Sequence, residues 1–177
     1  TIPELISKSG VLPGIKVDKG LKPIEGSEEN LTQGLEGLDE RLKEYYDLGA
    51  KFTKWRAVIN IGKDLPSEAA ISANMEALAS YAKIVQDNKM VPMVEPEVLM
   101  DGDHTIEACF EVTSRCLDSL FSNLHKSGVN IEGTILKPNM ITSGSSAKKQ
   151  AGVQEVAEKT LQGLKGNVPD NLPGFTF

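Results

Sequence analysis

With 177 residues, 40% of them hydrophobic and 25% charged, the chain has the composition of an ordinary globular domain with a sizeable core. Its net charge of −6 argues against a nucleic-acid partner, because phosphate backbones are held by clustered Lys and Arg, and no apolar run approaches the roughly 18 residues of a membrane helix. The first residues, Thr1-Ile2-Pro3-Glu4-Leu5, have neither the basic start nor the apolar stretch of a secretory signal, so a cytoplasmic location is expected, with a plastid left open.

Along the chain, short β-type runs alternate with longer helical ones. Val11 to Val17 is the first such run, interrupted by Pro13 and Gly14 and closed by Asp18-Lys19-Gly20. Thr32 to Leu48 has helical periodicity, with Leu35, Leu38, Leu42 and Tyr45 along one side and Gly49 as the stop. Lys54 to Ile61 is the next strand. Pro66-Ser67-Glu68 then opens a long helix through Leu78, Tyr81 and Val85 to about Asn88. Met90 to Val94 is a third strand, followed by a helix from Asp103 to about Lys126. Ile131 to Leu136 is a fourth strand, Val153 to Leu164 a fourth helix, and Phe175-Thr176-Phe177 begins another strand.

This alternation predicts βα units on a parallel sheet. Lys16, Lys54, Glu95, Lys137 and Phe175 follow one another at 38, 41, 42 and 38 residues. A repeat of about 40 suits a (β/α)8 TIM barrel. The expected fold is therefore α/β, part of such a barrel with about four βα units and the start of a fifth. Residues 1–177 are expected to form a partial TIM-barrel domain, incomplete at both ends.

Cys109 and Cys116 match no metal or redox spacing and read as reduced structural thiols. His104 and His125 read as solvated residues at helix ends. With so few histidines, no metal site is expected.

The strands end in charge. Lys16 and Asp18 share a face of the first strand, Lys54 and Arg56 of the second, Glu95 and Glu97 of the third, and Lys137 lies at the end of the fourth. Active sites of parallel barrels are built at the C-terminal ends of their strands. Buried charges of mixed sign imply a mutually compensating cluster. Glu95 and Lys137 each precede a proline, which holds them extended and is best tolerated where a strand ends. Lysines and glutamates without a metal suit imine formation with a ketone. A lysine amine attacks a carbonyl only in its neutral form, which a second cation and partial desolvation both favour. Lys54 is the candidate second cation, Glu95 the candidate proton carrier adjusted by Glu97, and Lys16 and Arg56 are left for phosphate.

The segments Gly14-Ile15-Lys16-Val17-Asp18-Lys19-Gly20, Lys54-Trp55-Arg56, Val94-Glu95-Pro96-Glu97 and Leu136-Lys137-Pro138-Asn139-Met140 resemble class I fructose-bisphosphate aldolases in order and spacing. So do Thr32-Gln33-Gly34-Leu35 and Asp101-Gly102-Asp103-His104, and the resemblance covers essentially the whole chain. It implies reversible cleavage of fructose 1,6-bisphosphate, a phosphorylated sugar, to dihydroxyacetone phosphate and glyceraldehyde 3-phosphate, with no cofactor. It implies Lys137 as the Schiff-base lysine and Glu95 as the principal general acid/base. Lys54 would contact substrate and assist proton transfer, Lys16 and Arg56 would bind phosphate, Glu97 would be a supporting carboxylate, and the assembly would be a homotetramer. The family's first-strand aspartate, its Ser-Gly-Gly phosphate loop and its late arginine do not occur in these residues. The loop from Glu25 to Leu31 looks one residue short, and Ser143 stands where the family often has Pro. An alternative is therefore a catalytically incomplete aldolase segment acting as a binding or scaffold protein.

Overall fold

The computed structural model describes residues 1–177. Strands β1 (Gly14–Lys16), β4 (Phe52–Ile59), β5 (Val91–Val98) and β6 (Ile135–Leu136) form one parallel sheet in the order β1-β4-β5-β6. Between them run α2 (Leu38–Asp47), α3 (Glu68–Asp87) and α4 (Ile106–Lys126), and α5 (Val153–Asn167) follows β6. A short helix, α1 (Ile2–Lys8), precedes the sheet. The expected α/β, partial-barrel architecture is the observed one, and no helix is long and apolar enough to cross a membrane.

Helices α2 to α5 lie side by side, with α3 and α4 directly against the sheet. Alternation along β4 explains why only one sheet face is covered. Thr53, Trp55, Ala57 and Ile59 are buried beneath the helices, while Lys54 and Arg56 point to the other face. Trp55 and Tyr81 of α3 pack with ring centroids 5.3 Å apart, and the Tyr81 hydroxyl lies 2.7 Å from Thr53 Oγ1. Fully buried Leu78, Leu117, Leu120 and Leu136 extend this core, each contributing roughly 1.5–3 kcal/mol by burial. Helix α3 starts where expected because Ser67 caps it, its Oγ accepting from Ala70 N at 3.1 Å. The buried Glu29 carboxylate fixes the cap by accepting from Ser67 N at 2.9 Å and Ser67 Oγ at 2.6 Å.

Four expectations are corrected. The helix predicted from Thr32 begins only at Leu38, and Asn30–Thr32 instead form β3, paired antiparallel with β2 (Leu21–Pro23). Gly34 and Gly37 have φ of +130° and +62°, left-handed conformations that interrupt a helix at those points. Asn74 of α3 then secures the hairpin by donating to Asn30 O at 2.8 Å.

Strand β5 runs on to Val98 although Pro96 suggested an earlier end. In this ladder the odd-numbered residues of β5 turn their N–H groups toward β4, as Val91 N to Lys51 O at 3.1 Å and Leu99 N to Ile59 O at 2.9 Å show. Pro92 and Pro96 are even-numbered, so their missing donors face β6 and leave the β4 pairing intact. The same two prolines weaken the β5–β6 edge. This accounts for the third correction, in which the strand predicted from Ile131 is a 3-10 turn over Ile131–Gly133 followed by a two-residue β6.

His104, expected at the solvated start of a helix, is only 8% exposed. The loops after β5 and β6 close over it through Gly144 N to His104 O at 2.9 Å, Ser145 N to Met100 O at 2.7 Å and Ser146 N to Gly102 O at 2.8 Å. Neither imidazole nitrogen has a hydrogen-bond partner. Burial lowers the His104 pKa below 6.5, against the opposing charge of Asp103. The unfolded state therefore takes up this proton first, and stability falls as pH drops below 6.5 and through the lower folded value. Urea midpoints should show the wild type losing stability relative to His104→Leu on acidification from pH 7 to 5, by at most about 1.4 kcal/mol per pH unit. Between pH 7 and 8 the difference should be constant.

His125 is exposed in the last turn of α4, as expected. Cys109 and Cys116 are free and buried on α4, with burial pushing the Cys116 thiol up to about 12. Phe175 makes a single parallel bridge to Leu136, in the direction expected for the next strand.

Candidate active site

The charged residues gather on the face of the sheet opposite the helices. Arg56 and Glu95 are register partners, and so are Lys16 and Lys54. Lys54 and Arg56 both lean toward the C-terminal end of the sheet. Lys54 reaches past its own partner Met93 to Glu95, and Arg56 reaches past Glu95 to Glu97. On the other side of β5, Lys137 N donates to Val94 O at 2.9 Å, which sets Lys137 beside Glu95.

Glu95 is the centre of the arrangement. Its Oε1 accepts from Lys137 Nζ at 2.7 Å, and its Oε2 pairs with Lys54 Nζ at 2.5 Å. The Glu95 side chain is 4% exposed, whereas those of Lys137 and Lys54 are 32% and 27% exposed. A nearly buried anion is thus compensated by two cations that retain access to solvent. Arg56 pairs with Glu97 through Nε, and this contact raises the Arg56 pKa. A cleft of ≈ 330 Å³ opens above them, with Arg56, Glu97, Asp101, Lys137, Asn139 and Phe177 in its wall. The larger apolar cavity of ≈ 500 Å³, between α5 and Phe175, contains none of the charged residues.

Of the six residues singled out from the sequence, Lys54, Glu95 and Lys137 touch as one cluster, and Arg56 and Glu97 form a pair beside it. Lys16 is not part of the cluster. It ion-pairs with Asp18, and its side chain is 53% exposed at the β1 edge. Two further residues take part: Asp18, named from the sequence at a strand end without a role, and Asn139, given no role there. Asp18 Oδ2 accepts from Arg56 N at 3.3 Å, and Asn139 Oδ1 accepts from Val98 N at 3.2 Å. Both are Asx side chains at strand ends, and both take up a backbone donor that the neighbouring strand leaves free. The clue was present in Pro96, which cannot donate to the carbonyl of Lys137.

The sequence matches the class I fructose-bisphosphate aldolase family over residues 1–177. The chain belongs to that family. Among curated relatives, a probable fructose-bisphosphate aldolase class 1 of Xanthomonas axonopodis pv. citri (strain 306) is 55% identical over 175 residues, which is 98% of this chain and 52% of the relative. Fructose-bisphosphate aldolase 6, cytosolic, of Arabidopsis thaliana is 48% identical over 175 residues, 98% of this chain and 49% of that protein. The solved structure of fructose-bisphosphate aldolase from Plasmodium falciparum, in complex with TRAP and a small-molecule inhibitor, superposes with a TM-score of 0.96. It is 46% identical over 98% of this chain and 51% of its own length. This aldolase-family chain therefore spans about half the length of the relatives it matches.

Proposed function

We propose that this chain carries the reactive lysine of a fructose 1,6-bisphosphate aldolase. The observation that carries the reading is the Glu95 carboxylate held between the amines of Lys137 and Lys54. In the proposed reaction the neutral amine of Lys137 adds to the C2 carbonyl of the ketose, forming a carbinolamine. Glu95 supplies the proton that lets the hydroxyl leave as water, and a protonated imine results. As a carboxylate, Glu95 then takes the proton of the C4 hydroxyl. The C3–C4 bond breaks, its electron pair moves toward the iminium nitrogen, and the aldehyde leaves as glyceraldehyde 3-phosphate. The resulting enamine takes a proton back at C3 from Glu95. Water then adds to the imine and releases dihydroxyacetone phosphate, returning the amine.

Lys54 is the proposed substrate contact and assists these transfers, and Glu97 keeps Arg56 oriented at the cleft. Arg56 and Lys16 are the proposed phosphate contacts, as partly exposed cations next to Lys54, Arg56 two residues further along β4 and Lys16 beside it on β1. A homotetrameric assembly is part of the same reading. A cytosolic location is supported by the Arabidopsis thaliana relatives named cytosolic. The intact charged cluster favours the enzymatic reading over the scaffold alternative.

The test is cleavage of fructose 1,6-bisphosphate by the protein expressed from its complete coding sequence, followed through triose phosphate release. The expected result is cleavage that persists in millimolar chelator, because the protonated imine formed on Lys137 is the electron sink that a metal would otherwise supply. Cleavage abolished by chelator and restored by a divalent metal would overturn the reading, as would a folded protein with no activity.

A further inference from the structure

The register between Lys137 and Glu95 has little backbone support. In the parallel ladder, the next bond after Lys137 N to Val94 O would run from the N–H of residue 96 to the carbonyl of Lys137, and residue 96 is a proline. One step further, the N–H of Val98 is taken by the Asn139 side chain, through Oδ1 at 3.2 Å. The same amide donates through Nδ2 to Thr113 Oγ1 at 3.1 Å and to Met140 O at 3.2 Å. Thr113 is 2% exposed on the face of α4 that packs toward the sheet. Asn139 therefore ties three elements together: the end of β5 that carries Glu95 and Glu97, the segment that carries Lys137, and α4 behind them.

From this geometry, and resting on the Schiff-base reading above, we infer that Asn139 is a positioning residue that sets the separation of Lys137 from Glu95. The bridge needs an acceptor and a donor on one short planar group. Aspartate lacks the donor, alanine lacks both, and glutamine is one carbon longer. The opposite edge of the sheet follows the same plan. Asp18 lies two residues beyond Lys16, as Asn139 lies two beyond Lys137, and its carboxylate takes the N–H of Arg56. There the carbonyl of Val17 is claimed by Arg41 Nη1 at 3.0 Å. At the β6 edge Asn139 alone bridges the gap that Pro96 leaves.

Proton transfer and imine formation depend steeply on the approach of the reacting groups, and a displacement of about 1 Å costs on the order of 10²-fold in rate. Asn139→Ala, made in the complete protein, should lower kcat and the rate of borohydride trapping about 10- to 100-fold. KM should stay within about twofold, because the proposed phosphate contacts are untouched. Thr113→Val removes the anchor of the amide without entering the cleft, and should lower kcat several-fold. Added to Asn139→Ala it should have little further effect, since both changes break one bridge. Both variants are read per mole of folded protein.

Wild-type kcat and trapping rate in folded Asn139→Ala would overturn the inference, leaving Asn139 a purely structural residue. Additive losses from the two substitutions would overturn it too. If the wild type itself forms no adduct, the Schiff-base reading fails and takes this inference with it, an outcome separate from the other two.

Discussion

Lys137→Met should abolish both adduct formation and carbon-carbon cleavage, with kcat falling at least about 10⁴-fold, the scale seen when the nucleophile of a covalent mechanism is removed. Methionine keeps most of the side-chain stem and removes only the amine. Glu95 retains its ion pair with Lys54, so the buried carboxylate is not left alone. The stability change should therefore be limited, about 1.5–3 kcal/mol for one lost hydrogen bond to a charged group. This contrast between activity and stability marks a reacting group. A fall in melting temperature matched by the fall in activity would point instead to an ordinary structural ion pair.

Glu95→Gln should have the second largest effect. The amide keeps the shape and one acceptor oxygen but can neither take nor give the proton that the proposed cycle needs. Loss of general acid/base catalysis is worth about 10²- to 10⁴-fold in kcat. The adduct should still form on Lys137, more slowly, because the amine remains. The two lysines lose their shared counter-ion, yet each is about one-third exposed or less and can turn toward water. Stability should thus fall far less than rate. If Glu95→Gln cleaves substrate at the wild-type rate, the proton carrier is another group.

The site was legible in the sequence because strand periodicity is strict. Residues two apart share a face, so Lys54 with Arg56 and Glu95 with Glu97 had to project together. The regular spacing of strand ends then made the four sets neighbours. What periodicity does not contain is which partner each charge selects. Arg56 lies beside Glu95 in register but pairs with Glu97, and Lys54 reaches forward to Glu95, because both long side chains lean along the strand. Lys16 was expected to be free, and it pairs with Asp18 on its own strand.

The missed elements have a common cause in local polar groups that override periodicity. The Leu35 to Tyr45 repeat suggested a helix from Thr32, but Gly34 and Gly37 in left-handed conformations delay it, and Thr32 Oγ1 donates to Arg56 O at 2.9 Å instead. Pro96 was read as the end of a strand because a proline removes a ladder bond. Which neighbour loses the bond depends on register, and register is a tertiary property. His104 looked solvated from its Asp-Gly-Asp surroundings, and loop closure by backbone bonds to Gly144 buried it. Gly144 has no room for a side chain, since a Cβ there would lie 2.4 Å from Gly102 O.

The decisive measurement is peptide mapping of the complete protein after incubation with dihydroxyacetone phosphate and borohydride. Reduction of the imine fixes the triose phosphate to whichever lysine formed it. The account predicts one adduct, on the peptide that contains Leu136-Lys137-Pro138, and none in Lys137→Met. An adduct on Lys54 alone, or none on any lysine of the folded protein, would contradict it.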